Sequence, residues 1–170
     1  SILDADGDRS AWAELYNTSD ETVDLSGYAL SDDPEDPWKW FFPEGSAIEP
    51  HGYVIVYLDG KDRTDGEMHT SFRLGRSDSA LTLSSRADRV RQSVPIDPES
   101  KDNISYGRSA EGWLYYPQPT PLAPNETKGF TTIAAAGGDA RFGVRINEVS
   151  AVQAAKSGKS DWVELYNASE

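Results

Sequence analysis

Trp12-Ala-Glu-Leu-Tyr-Asn17 returns 150 residues later as Trp162-Val-Glu-Leu-Tyr-Asn167. Chance agreement of a tryptophan, a tyrosine and three further residues in one six-residue window is improbable, and Ser19 recurs as Ser169 as well. Self-similarity at a fixed spacing is the mark of modules in tandem. If the segment is a strand, Trp12, Glu14 and Tyr16 share one face and Leu15 takes the other. Glu14 is then a carboxylate beside large aromatics. Leaving it buried and unpaired would cost several kcal/mol, so a hydrogen bond to backbone or to a tyrosine is expected, and the repeat keeps the residue as Glu164. The second copy is preceded by Val144-Arg-Ile-Asn-Glu-Val149, a strand-like run without a counterpart before the first copy. The expected organisation is a module lacking its first strand (residues 1–127), a linker (128–143), and the first strands of a second copy (144–170).

Outward from Trp12, short β-rich runs alternate with turn signals, and no long helix-period pattern occurs. The runs are Trp12–Tyr16, Thr22–Leu25, Tyr28–Leu30, Trp38–Phe42, Tyr53–Leu58, Ser71–Leu74, Ala80–Ser84, Arg89–Val94, Ile104–Tyr106 and Trp113–Tyr116. This pattern predicts an all-β sandwich or barrel. Tyr53-Val-Ile-Val-Tyr-Leu58 is apolar on both faces and reads as a central, fully covered strand. Ala80-Leu-Thr-Leu-Ser84 alternates, as a half-buried strand does. Gly27 suits a bend where one strand leaves a sheet. The sheet is expected to stop where Pro117, Pro119, Pro121 and Pro124 crowd together, because proline cannot donate to a ladder.

Composition excludes several functions. With 29 acidic residues against 16 basic, the net charge is −13, so a polyanion such as nucleic acid would be repelled. No apolar run is long enough for a membrane-spanning helix. The chain has no cysteine, which removes disulfides and thiolate zinc sites.

Several further stretches continue the pattern of the repeat. They are Val23-Asp-Leu-Ser-Gly-Tyr-Ala-Leu-Ser-Asp32, Phe42-Pro-Glu-Gly45, Ile48-Glu-Pro-His-Gly-Tyr-Val-Ile-Val56, Phe72-Arg-Leu-Gly75 and Asp78-Ser-Ala-Leu-Thr-Leu83. Tyr106-Gly-Arg108 and Pro119-Thr-Pro-Leu-Ala-Pro-Asn125 close it. In this order, together with Arg145–Val149 and Asp161–Asn167, they resemble the bacterial, tandem-repeat type of lamin tail domain, over about residues 1–127 and 144–170. The resemblance implies an immunoglobulin-like β-sandwich, carried by secreted or cell-surface proteins and without catalysis of its own.

Asp4, Asp6 and Asp8 have the wrong spacing for a calcium loop, since an EF-hand count from Asp4 puts Arg9 and Leu15 at the positions needing glycine and carboxylate. The matching stretch of the second copy carries no acid. A solvated connection with no tightly held ion is expected. Asp32, Asp33, Glu35 and Asp36 form a loop stiffened by Pro34 and Pro37, with calcium there left open. His51 and His69 fall in unrelated loops, which does not make a zinc site. No nucleophile elbow or nucleotide-binding glycine pattern is present. No catalytic residue, metal or cofactor is therefore assigned. Trp38, Trp40, Trp113, Tyr115 and Tyr116 are the candidate ligand-contact aromatics; alternation puts Trp38 and Trp40 on one face, Lys39 and Phe41 on the other.

The reading is a non-enzymatic binding or spacing module of an exported multidomain protein, with a protein or polysaccharide ligand and neighbouring copies of itself as partners. A carbohydrate-binding accessory to an enzyme is the alternative, and a hydrolase the third reading. An unpaired edge where the first strand is missing is expected to draw in Val144–Ser150, within one chain or between chains as a strand-swapped assembly. A linker of that length spans on the order of 50 Å when extended.

Overall fold

A computed structural model of the chain describes residues 2–87, 91–137, 144–150 and 162–167. The chain divides into two units, residues 1–136 and 137–170. In the first, the strands are β1 (Trp12–Tyr16), β2 (Val23–Asp24), β3 (Tyr28–Ser31), β4 (Trp40–Phe41), β5 (Ala47–Ile48), β6 (Tyr53–Tyr57), β7 (Met68–His69), β8 (Ala80–Ser85), β9 (Arg91–Pro95), β10 (Ser105–Ser109) and β11 (Gly112–Tyr116). A single helical turn, α1 (Ile133–Ala136), follows. The second unit contains β12 (Val144–Ser150) and β13 (Trp162–Asn167).

Two sheets form the sandwich, with strand orders β1-β6-β7 and β4-β3-β8-β9. They enclose a core in which Leu30 and Trp40 meet Val56, Leu58, Phe42 and Phe72, with Ala13, Leu15, Leu81 and Leu83 packed around them. This is the immunoglobulin-like β-sandwich that the sequence suggests. Gly27, at φ +81°, lies where the chain passes from the small β2-β5 pair into β3 of the larger sheet, a conformation that costs glycine little. Pro95 ends β9, an edge strand, where the missing N–H does no harm.

Several sequence expectations change in detail. β6 is central, paired with β1 on one side and β7 on the other; however, only Val56 and Tyr57 of the strand are buried and Tyr53–Ile55 are partly open. In β8 the polar Thr82 and Ser84 are more deeply buried than Leu81 and Leu83. The reason is the loop 32–38, which folds back over that face: Ser31 Oγ donates to the Asp36 carbonyl and Arg91 to the Pro34 carbonyl. Ser71–Leu74 forms no strand and contributes a lone bridge from Arg73 to Asp59. Part of the Arg89–Val94 run lies outside the described residues.

The expected linker also begins differently. Residues 128–136 belong to the first unit. Phe130 exchanges backbone hydrogen bonds of 2.8 and 2.9 Å with Tyr115, and Ile133 and Ala136 are buried. One face of the β10–β11 hairpin is thus covered by the chain that follows it. A Cβ on Gly129 would stand 2.8 Å from Leu114 Cδ1 and 3.0 Å from Tyr116 Cε1. Gly129→Ala is expected to destabilise the first unit by about 1–3 kcal/mol through overpacking; an unchanged urea midpoint would show that this segment does not pack on the hairpin.

Candidate functional site

β1 pairs with β6 in the register Trp12↔Tyr57, Glu14↔Ile55 and Tyr16↔Tyr53. Asn17 N–H donates to the Gly52 carbonyl and Leu58 N–H to that of Ala11. These two bonds fix the phase of the ladder. Antiparallel pairs alternate between bonded and non-bonded, so residues 11, 13, 15 and 17 bond to β6, and the backbone groups of Trp12, Glu14 and Tyr16 face away from it. Among the described residues, no strand pairs with that second edge.

A cleft of about 1600 Å³ opens along this edge. Every residue from Trp12 to Asn17 borders it, as expected of a space beside a strand rather than over one of its faces. Its far wall is the hairpin β10–β11, where Tyr106 pairs with Tyr115 and Arg108 with Trp113. Those four side chains therefore share one face. Tyr106 stands 5.1 Å from Trp113 and 4.6 Å from Tyr115, ring centre to ring centre, and the Arg108 guanidinium lies 5.0 Å over Trp113. Tyr115 donates its hydroxyl to Asp97 at 2.8 Å. Burial, with the Asp97 carboxylate second, holds that phenol up at about 12. The strip is pinned at Tyr115 and more open at Tyr106.

The five aromatics expected to form one platform do not sit together. Trp40 and Tyr116 are buried. Trp38 is not on the face of Trp40: it lies in a turn before β4 and stacks on the outward Phe41 at 6.0 Å, with the Arg86 guanidinium 4.5 Å over its ring. Strand alternation does not reach Trp38, because β4 begins only at Trp40. Trp113 and Tyr115 do reach the cleft, joined by Tyr106, which sequence reasoning passed over. A hairpin register drawn through the Ala110-Glu111 turn would have placed it there.

Glu14 has the partner expected of it. Its Oε2 accepts the Leu122 N–H at 2.5 Å, which ties the proline-rich stretch to β1. Burial raises its pKa, and the Leu122 bond offsets part of that rise.

The acidic loop before β1 is a correction. Asp4, Asp6 and Asp8 are not merely solvated: they converge on Lys61 Nζ, at 2.5, 2.8 and 2.9 Å. Asp6 also pairs with Arg63 at 2.9 Å. The carboxylates are close enough to share a metal ion, and the lysine ammonium stands among them. Beneath lies a buried pair, His69 Nδ1 at 3.0 Å from Asp59 Oδ2. Arg63 has only donors and lies 3.1 Å from His69 Nε2, so the ring proton is on Nδ1 and goes to Asp59. Ser10 donates to the same carboxylate. Ser10, Asp59 and His69 are thus together without a nucleophile–base contact. Of the other acids singled out, Asp32 pairs with Lys39 at 2.8 Å, and Asp33 and Asp36 accept backbone N–H groups within their own loop. His51 is exposed and meets Asp20 at 2.9 Å.

With this geometry in place, comparison with known proteins is informative. A family model described as Lamin Tail Domain matches residues 2–97. The chain belongs to the lamin tail domain family, a family of non-enzymatic immunoglobulin-like domains. No curated protein and no solved structure matches it.

Hydrogen bonds from Lys61 lower the pKa of Asp4, and those from Lys61 and Arg63 bring Asp6 to about 2. Burial raises Asp59, but bonds from His69, Lys61 N–H and Ser10 outweigh it, for a net lowering. Carboxylates lowered in the folded state add stability that is complete above their unfolded pKa near 4 and lost as pH falls towards 2. Lys61→Met should lower the melting temperature at pH 7 and flatten that acid-side loss; an unchanged pH profile would refute the role of the network. Glu14→Ala should cost about 0.5–1.5 kcal/mol, the net worth of one exposed hydrogen bond to Leu122 N–H, and should speed amide exchange at Leu122. Wild-type exchange there would count against the tie.

Proposed function

We propose that the chain is a non-catalytic binding and spacing module of an exported or cell-surface multidomain protein, and that the cleft beside β1 receives an extended polymer. The observation that supports this reading is the pairing of two recognition devices across one cleft. On one wall is a strand edge whose outward backbone groups suit a peptide strand. On the other is an aromatic strip, Tyr106, Trp113 and Tyr115, whose flat apolar faces and polar rims suit sugar rings or a protein surface. The net charge of −13 favours a neutral or basic ligand. The buried His69, with both ring nitrogens engaged, supplies no free base for hydrolysis.

A polysaccharide ligand is the specific alternative, and the strip is what favours it. Glycan-array binding of the whole chain should fall at least tenfold in Trp113→Ala and stay unchanged in Trp38→Ala, which lies outside the cleft. If no glycan is retained, or if Trp38→Ala has the larger effect, the strip is not a sugar site and a protein ligand remains.

A further inference from the structure

The second unit holds a copy of β1 with its partner in place. β13 carries Trp162-Val-Glu-Leu-Tyr-Asn167, and β12 pairs with it antiparallel. The register is Val144↔Asn167, Arg145↔Tyr166, Ile146↔Leu165, then, after a bulge, Glu148↔Glu164, Val149↔Val163 and Ser150↔Trp162. One sequence of this chain therefore prescribes which strand sits beside Trp-x-Glu-Leu-Tyr-Asn, in which direction and in which register. We infer that the cleft beside β1 is an acceptor for strand Val144–Ser150 of a second copy of this chain. The inference deepens the reading of the cleft as a receptor for an extended polymer and rests on it.

Moved onto β1, the register places Ile146 opposite Leu15 and Val149 opposite Ala13. Cross-strand partners point to the same face of a sheet, and Leu15 and Ala13 pack on the core. The incoming strand thus turns its apolar residues inward. Val144 comes opposite Asn17, and Arg145 opposite Tyr16. Glu148 falls opposite Glu14, a like-charge pair that β12 and β13 already accept as Glu148↔Glu164. On the first unit, moreover, the Glu14 carboxylate is turned to the Leu122 N–H. The outward N–H and C=O groups of Trp12, Glu14 and Tyr16 supply the ladder.

The donor strand is available at low cost. Within the described residues β12 has a single partner, in a two-stranded sheet, and such a sheet is marginal in water. Exchanging β13 for β1 replaces a two-stranded ribbon by the edge of a three-stranded sheet over a filled core. This is strand donation between molecules to a position equivalent by repeat, a heterologous contact. Each molecule offers one acceptor and one donor, so the contact either closes a ring or continues as a chain.

The test uses the full chain. By light scattering, the wild-type mass should rise with concentration from 18.7 kDa to at least twice that. Ile146→Lys, which puts a charge opposite Leu15, should remain a monomer with an unchanged β circular dichroism spectrum. Excess synthetic peptide of residues 144–150 should return the wild type to monomer, a check that needs no variant to fold. A wild-type mass that stays monomeric overturns the inference, as does an association that survives Ile146→Lys or excess peptide. A chain that stays monomeric at every concentration and yet binds glycan would overturn it while leaving the functional reading of the cleft intact.

Discussion

β1 turns its backbone hydrogen-bonding groups to two different places. Those of residues 11, 13, 15 and 17 go to β6, and this ladder brings Ala13 and Leu15 onto the core that Val56, Leu58 and the β3 leucine share. Those of Trp12, Glu14 and Tyr16 go to the cleft. The side chains follow the same alternation. Glu14 leaves the sheet on the side away from Leu15, where it meets Leu122 and draws the proline-rich stretch against β1. That stretch runs on to Phe130, which closes on Tyr115 and sets the back of the aromatic hairpin. One strand thus organises the core, the near wall of the cleft and, through Glu14, the chain that supports the far wall.

The other end of the same sheet is fixed electrostatically. Asp59 and His69 are buried, Lys61 gathers three aspartates from the loop before β1, and Arg63 bridges Asp6 to the imidazole. A buried carboxylate without such partners would be costly. The network therefore explains why so acidic a loop can lie against the protein at all. It also gives Asp4, Asp6 and Asp8 a structural role.

The strands were legible where β-rich residues run over four or more positions, whether apolar throughout as in Tyr53–Leu58 or alternating as in Ala80–Ser84. Ala47–Ile48 and Met68–His69 were not, because two residues carry no period. The Asp4–Asp8 loop was misjudged because its cation comes from Lys61, more than fifty positions away, and long-range pairing leaves no local trace. Trp38 was assigned to the wrong face because Asp36 accepts its N–H at 3.3 Å and holds it in a turn where a strand had been drawn. Residues 128–136 have the small side chains of a linker, and two larger ones, Phe130 and Ile133, decide otherwise. The cleft itself was half legible: the repeat marked the edge of β1, and only the folded hairpin brought Tyr106 to face it.

The central claim is that β1 offers a free edge whose natural complement is a β12-type strand, and amide hydrogen exchange reads that edge directly. In a dilute solution of the full chain, the amides of Ala13 and Leu15 should be protected by β6, while those of Trp12, Glu14 and Tyr16 exchange far faster. Raising the concentration, or adding the 144–150 peptide, should slow the second set and leave the first unchanged. Equal protection of both sets at high dilution would contradict the account, because the edge would then already be paired within a single molecule.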